Sequence, residues 1–242
     1  PPSVICCGAS RTIRRQSSLP AEPPAPVTVQ LAWVHSVEYS GFYMAEESGY
    51  YQKENLAVEL NELGDSSPIE AVVQGQADFG ITSADTLLAA RANGAPVVAI
   101  ATIYHRSPVA FISLAEKNII RPQDLIGAKV MVHFEGTTGL IYNAMLNAAG
   151  IDPAQVNSVP RTDFSNDPLI NGQVDAMDAF VVNQPVQLNQ QGHQVNAIMA
   201  ADYGIDVYAN IIFTSEEKIA NNPELIERFL RATLQGMQDA VN

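Results

Sequence analysis

Short apolar runs, polar loops punctuated by Gly or Pro, and helical stretches follow one another along most of the chain. Val27 to Leu31 reads as a strand and Gly41 to Ser48 as the helix after it. Ala57 to Leu63 alternates like a second strand. Asp65-Ser66-Ser67-Pro68 then opens a helix, Ile69 to Gln74, that ends at Gly75. Ala77 to Ile81 is a short third strand, and Ser83 or Asp85 is placed to cap a helix from Thr86 to Asn93. Gly94 closes that helix as a left-handed residue would, and the unbroken apolar run Pro96 to Ile103 predicts a buried strand. Such β-α-β-α-β alternation calls for a mostly parallel sheet covered by helices.

The polar insert Tyr104-His105-Arg106-Ser107-Pro108 separates this unit from a new apolar strand, Val109 to Leu114, and reads as a crossing into a second domain. Lys129 to Phe134 is a strand there, followed by Glu135-Gly136-Thr137-Thr138-Gly139 and a helix to Ala149. Backbone N–H groups at that helix start favour an anion or a carbonyl. No Gly-Lys-Ser/Thr follows, so it is not a P-loop. Val156 to Pro160 and Val174 to Val182 are further strands, with a turn at 163–168, a helix ending at Gly172, and a helix opened by Asn183-Gln184-Pro185. Val207 to Thr214 is the return strand into the first domain; Ser215 caps a helix at Glu216, and Asn222-Pro223-Glu224 starts the last one, Leu225 to about Val241. The expected division is a leader and Pro-rich linker at 1–26, lobe one at 27–108 and 207–242, and lobe two at 109–206.

The loop after the first strand carries Trp33, His35, Glu38 and Tyr39 at the strand's carboxyl end, where open α/β sheets bind ligands. Trp33 and Tyr39 offer flat faces and His35 and Glu38 offer hydrogen bonds; a Trp that merely plugs the sheet top is the structural alternative. Ser83, Tyr104, His105, Glu135, Thr137, Asp178 and Asn183 join them as candidate ligand contacts. For His105 the alternative is a solvated loop, for Thr137 a helix cap, and Asp178 points either to the core or to the cleft. Arg91 reads as a structural cation at a helix end.

Composition narrows the partners. A formal charge of −13 argues against nucleic acid, which needs clustered Lys and Arg. No run of about 18 apolar residues is present to span a membrane. Both cysteines, Cys6 and Cys7, precede the folded part, leaving no disulfide, thiolate nucleophile or Cys metal site in residues 8 to 242. Val4-Ile5-Cys6-Cys7-Gly8 resembles, imperfectly, a lipoprotein cleavage site with Cys7 as the lipidated residue; a leader without such a role is the alternative. Leu19 to Pro26 is Pro-rich and extended, as a tether would be.

Trp33, Gly41-Phe42-Tyr43-Met44-Ala45 and Gly49-Tyr50-Tyr51 resemble the opening of the periplasmic solute-binding proteins that include binders of thiamine-pyrimidine precursors and riboflavin. Gln74 to Gly80, Ala89 to Pro96, Arg121 to Val130 and Phe229-Leu230-Arg231-Ala232 continue the likeness. Asn183-Gln184-Pro185 departs from that family's Asn-Glu-Pro by the Gln. The resemblance implies an α/β fold of the two-lobed periplasmic binding protein class (type II), each lobe a mostly parallel sheet flanked by helices, with two hinge crossings. It also implies a monomer that hands a small heteroaromatic vitamin or precursor to ABC transporter permease subunits, outside the cytoplasm and without a cofactor. Tyr104 to Pro108 leans toward the riboflavin type. Family members usually continue past the last helix, so a truncated C-terminus is expected. Sulfonate or nitrate binding would call for more Arg, Lys or bare N–H groups in the cleft, and a sensor reading would call for further domains. The fold also hosts a eukaryotic pyrimidine synthase that consumes its own His, for which His35 or His105 could stand. That enzyme's family carries a Cys cluster which this body lacks, so no enzymatic activity is expected.

Overall fold

The computed structural model describes residues 23–162 and 165–242; Cys6, Cys7 and most of the Pro-rich linker lie outside the described residues, as does Phe164. The first part lays down β1 (Ala25–Gln30), α1 (Ser40–Glu47), α2 (Tyr50–Lys53), β2 (Leu56–Asn61), α3 (Pro68–Val73), β3 (Phe79–Thr82), α4 (Ala84–Ala92) and β4 (Val97–Tyr104). After a crossing come β5 (Val109–Leu114), β6 (Lys129–Val132), α5 (Gly136–Ala148), β7 (Asn157–Pro160), α6 (Asp167–Ile170), β8 (Ala176–Phe180), α7 (Gln184–Gln190) and β9 (Val195–Met199). The chain then returns as β10 (Ala209–Ser215), α8 (Glu216–Asn221) and α9 (Pro223–Ala240).

Two five-stranded sheets result, ordered β2-β1-β3-β10-β4 and β7-β6-β8-β5-β9. In each, three neighbours run parallel, and one strand contributed across the hinge runs antiparallel between two others: β10 between β3 and β4, β5 between β8 and β9. Each lobe thus takes its inserted strand from the chain's passage to or from the other. The carboxyl ends of β1, β3, β6 and β8 and the amino ends of β5 and β10 all point toward the interlobe space.

Local chemistry explains the boundaries. Ser67 accepts from the Glu70 N–H while Glu70 accepts from the Ser67 N–H, a capping box that starts α3 at Pro68. Ser215 caps α8 by accepting from the Lys218 N–H. Lobe one is held by an aromatic core in which the Phe229 ring lies 4.0 Å from Phe79 and 6.1 Å from Tyr51, near parallel to both. Gly236 of α9 lies so close to α1 that an added Cβ would come within 2.2 Å of the Gly41 carbonyl oxygen. Lobe two packs Phe111 against Tyr142, whose hydroxyl meets that of Ser158 at 2.8 Å.

Two expectations change. The apolar run Pro96 to Ile103 is an edge strand, mostly half-buried, because β10 takes the interior place next to β3. The strand Val195–Met199 had no counterpart in the sequence reading; it too sits at an edge, with only Ile198 fully buried. Among the described residues no helix is long and apolar enough to cross a membrane.

Candidate functional site

A cavity of about 290 Å³ opens between the lobes where those strand ends converge. That is near the lower end of ordinary small-molecule sites. Lobe one lines it with Trp33, Glu38 and Tyr39 beyond β1, Thr82 and Ser83 at the end of β3, and Asn210 at the start of β10. Lobe two supplies His133 beyond β6, Thr137 from α5, Arg161 beyond β7, Asp178 of β8, and Asn183 and Gln184 at the start of α7.

Seven of the sequence candidates therefore share one cavity: Trp33, Glu38, Tyr39, Ser83, Thr137, Asp178 and Asn183. The other four lie elsewhere. His35 is exposed and held by the Tyr43 hydroxyl at 2.7 Å. His105 is exposed against Tyr208, with ring centroids 5.8 Å apart. Glu135 is exposed at the N-cap position of α5. Tyr104 is half-buried behind Glu38, whose carbonyl accepts from its hydroxyl at 3.5 Å, and burial pushes its pKa up to about 12. Neither Phe134, turned outward with 44 % exposure, nor Tyr203, packed on the lobe-two core, lines the cavity.

Within the cavity the polar groups are tied down. Glu38 is buried; its carboxyl accepts from the Ser36 hydroxyl at 2.9 Å and the Asn210 amide at 3.2 Å. Burial raises its pKa, against the lowering effect of those two donors. Tyr39 is fully buried, and burial also raises its phenol. Asp178 faces the cleft: it accepts from the His133 N–H at 2.9 Å and lies 3.3 Å from the Arg161 guanidinium, which also donates to the Asp178 carbonyl at 2.7 Å. Ser83 stands at the N-cap of α4 but makes no capping bond; its hydroxyl turns to Thr86 and to Thr137 across the cleft.

Arg161, Asn210 and His133 escaped the sequence reading. Arg161 and His133 each follow the carboxyl end of a strand, the signal that picked out Trp33, and could have been found by it. Asn210 holds a left-handed backbone, φ 50°, at the second position of β10, for which the residue type alone gave only a weak sign.

A family model described as NMT1/THI5 like matches residues 36–242. The chain belongs to that family. A riboflavin-binding protein, RibY, from Chloroflexus aurantiacus is 29 % identical over 98 % of this chain and 71 % of its own length. A formylaminopyrimidine-binding protein from Halalkalibacterium halodurans is 28 % identical over 88 % of this chain and 65 % of its own. A 4-amino-5-hydroxymethyl-2-methylpyrimidine phosphate synthase from Legionella pneumophila is 28 % identical over 87 % and 67 %. The chain thus spans about two thirds of the length of the last two. Among solved structures, the periplasmic aliphatic sulphonate binding protein SsuA from Escherichia coli superposes with a TM-score of 0.66 at 17 % identity, over 88 % of this chain and 73 % of that one, which fixes the periplasmic binding protein fold.

The expectation of no enzymatic activity is corrected by these relatives. Proteins named as synthases match the chain nearly as well as those named as binders. The missing Cys cluster was too narrow a test, because a cleft that encloses a heteroaromatic ligand serves binding and chemistry alike.

Proposed function

We propose that this protein is an extracytoplasmic solute-binding clamp that encloses a small, flat heteroaromatic ligand, of the riboflavin or formylaminopyrimidine kind, and passes it to an ABC importer. The observation that carries this reading is an aromatic pair across the cavity. The Trp33 ring of lobe one stands edge-on to the His133 ring of lobe two, centroids 6.2 Å apart. A planar ligand would find an aromatic ring on each wall, the two set nearly at right angles. The names of the riboflavin- and formylaminopyrimidine-binding relatives point to the same ligand shape. In this reading 27–108 with 207–242 form one lobe and 109–206 the other, the hinge runs through both crossings, and the protein acts as a monomer.

A thermal-shift screen against riboflavin, formylaminopyrimidine, thiamine and an alkanesulfonate tests it. A ligand at about 100 times its dissociation constant stabilises the native state by roughly 2.7 kcal/mol. A rise in melting temperature with a heteroaromatic ligand alone supports the reading. A rise with the sulfonate alone refutes the ligand class.

A further inference from the structure

Glu38 stands where three segments meet. Glu38 borders the cavity and is only 7 % exposed. One oxygen accepts from Ser36 and the other from Asn210, while its backbone carbonyl accepts a long bond from Tyr104. Tyr104 ends β4, immediately before the outward crossing, and Asn210 is the second residue of β10, immediately after the return. One residue therefore touches ligand space and both ends of the hinge. Asn210 holds a φ of 50°, a region Asn tolerates better than most residues, and such backbone collects at switch points.

The chemistry of the carboxyl group says what it can read. Each oxygen has two lone pairs, and neutral donors of the fold occupy one on each. Each oxygen therefore keeps further acceptor capacity on a residue that lines the cavity, and a buried acceptor is costly to leave unmatched. On the opposite wall Asp178 is already held by the Arg161 guanidinium and the His133 N–H. A ligand N–H suits Glu38, and an anionic group does not.

We infer that Glu38 is the specificity-determining residue of the cleft: it accepts a hydrogen bond from an N–H on the ligand's ring edge and, through Asn210 and Tyr104, conveys occupancy to both hinge crossings. This rests on the binding reading above. Riboflavin carries a ring imide N–H and formylaminopyrimidine a ring amine, so both present the required donor.

The test is calorimetric titration with riboflavin and 3-methylriboflavin, in parallel with formylaminopyrimidine and an analogue whose ring amine is dimethylated. Small-angle scattering of each mixture reads closure. Wild-type protein is expected to bind the methylated partner at least tenfold more weakly. Glu38→Ala should cost about tenfold for the parent ligand and make both members of the pair bind alike. Glu38→Met, of similar length and without an acceptor, gives the same reading where the alanine variant does not fold. Asn210→Gly, at ease at that φ, should keep the preference for the parent ligand but lose compaction on binding. Equal weakening of both ligands by the Glu38 variants, or no discrimination by the wild type, overturns the inference and leaves the clamp standing. Compaction retained in Asn210→Gly overturns the relay. Failure of the wild type to bind any of the four compounds overturns the binding reading itself, and this inference with it.

Discussion

Thr137, in the first turn of α5, donates its hydroxyl to the Asp85 carboxylate of α4 at 2.7 Å and so joins lobe two to lobe one. The Ser83 hydroxyl meets the Thr137 hydroxyl oxygen. The residue that the sequence offered as a ligand contact is occupied, in this structure, in holding the lobes together. Thr137→Val removes both bonds at nearly constant volume. A hydrogen bond to a charged group contributes roughly 1.5–3 kcal/mol when buried and less when half-exposed, so about 1 kcal/mol is expected here. The ligand-free variant should scatter as a more open particle, and ligand affinity should drop by about fivefold through the smaller closed population. Unchanged ligand-free scattering with a much larger affinity loss would return Thr137 to the role of ligand contact.

Trp33 is the sole Trp of the chain and lines the cavity. Trp33→Ala should weaken an aromatic ligand by about 1–3 kcal/mol, in the range of stacking on an aromatic side chain. Trp33 is half-buried at the mouth of the core rather than inside it, so the melting temperature should fall only slightly. Calorimetric titration beside thermal unfolding checks both. A large loss of stability with unchanged affinity would mean the ring plugs the sheet top.

Why some of this was legible and some not follows from where each residue sits. Strands punctuated by Gly, Pro or a cap, such as β3 before Ser83 and β10 ending at Ser215, announce their ends; Ser83, just past the carboxyl end of β3, faces the cavity as the sheet rule requires, whereas β10 meets it by its amino end at Asn210. Edge strands announce less: β9 has a single fully buried position and no turn residue of special geometry after it, so its pattern carried little signal. His35 and Glu135 misled because a loop at a strand end has two sides. His35 is drawn to Tyr43 on the outer one, and Glu135 precedes a turn in which Gly139 packs under the Phe134 carbonyl. Which side a loop residue takes is settled by tertiary partners that lie far away in sequence, as with Glu38 and Asn210.

The Arg161 guanidinium is 2 % exposed and lies 3.3 Å from the Asp178 carboxylate. Arg161→Met leaves that carboxylate buried against the cavity without its cation. Removing one partner of a buried pair costs about 3–5 kcal/mol. Lobe two should unfold at a markedly lower denaturant concentration, followed by the fluorescence of Tyr142 and its neighbours in a Trp33→Phe background. Asp178→Asn in the same protein should recover part of the loss, since it removes the stranded charge. A single variant with wild-type stability would show that other partners of Asp178 suffice.

Gly236 fits under the Gly41 carbonyl because it has no side chain, and the Cβ of an alanine would also fall 2.6 Å from the Ala45 nitrogen. Both neighbours are backbone and cannot step aside without moving a helix. Overpacking of this kind costs about 1–3 kcal/mol. Gly236→Ala should lower the melting temperature although alanine is the better helix former. A rise would mean that α9 shifts freely on α1.

Burial raises the Glu38 pKa above the usual glutamate range, so the folded protein retains a proton that the unfolded chain releases. The sign follows from proton linkage. Below the unfolded-state pKa both states are protonated and the group is neutral to stability. As pH rises past that value the unfolded state ionises first, and native stability falls until the folded-state carboxyl ionises as well. Tyr39, Tyr43 and Tyr104, which face Glu38, have raised pKa values of their own and stay protonated throughout this window. Glu38→Gln cannot ionise and removes this one contribution while leaving the other acidic groups in place. The stability of the variant relative to wild type should therefore grow with pH from about 4.5 upward and then level off. Urea unfolding of both proteins at steps between pH 4 and pH 8 measures the difference. A difference that shrinks as pH rises would mean that the ionised carboxylate, held by Ser36 and Asn210, is the favoured form in the fold.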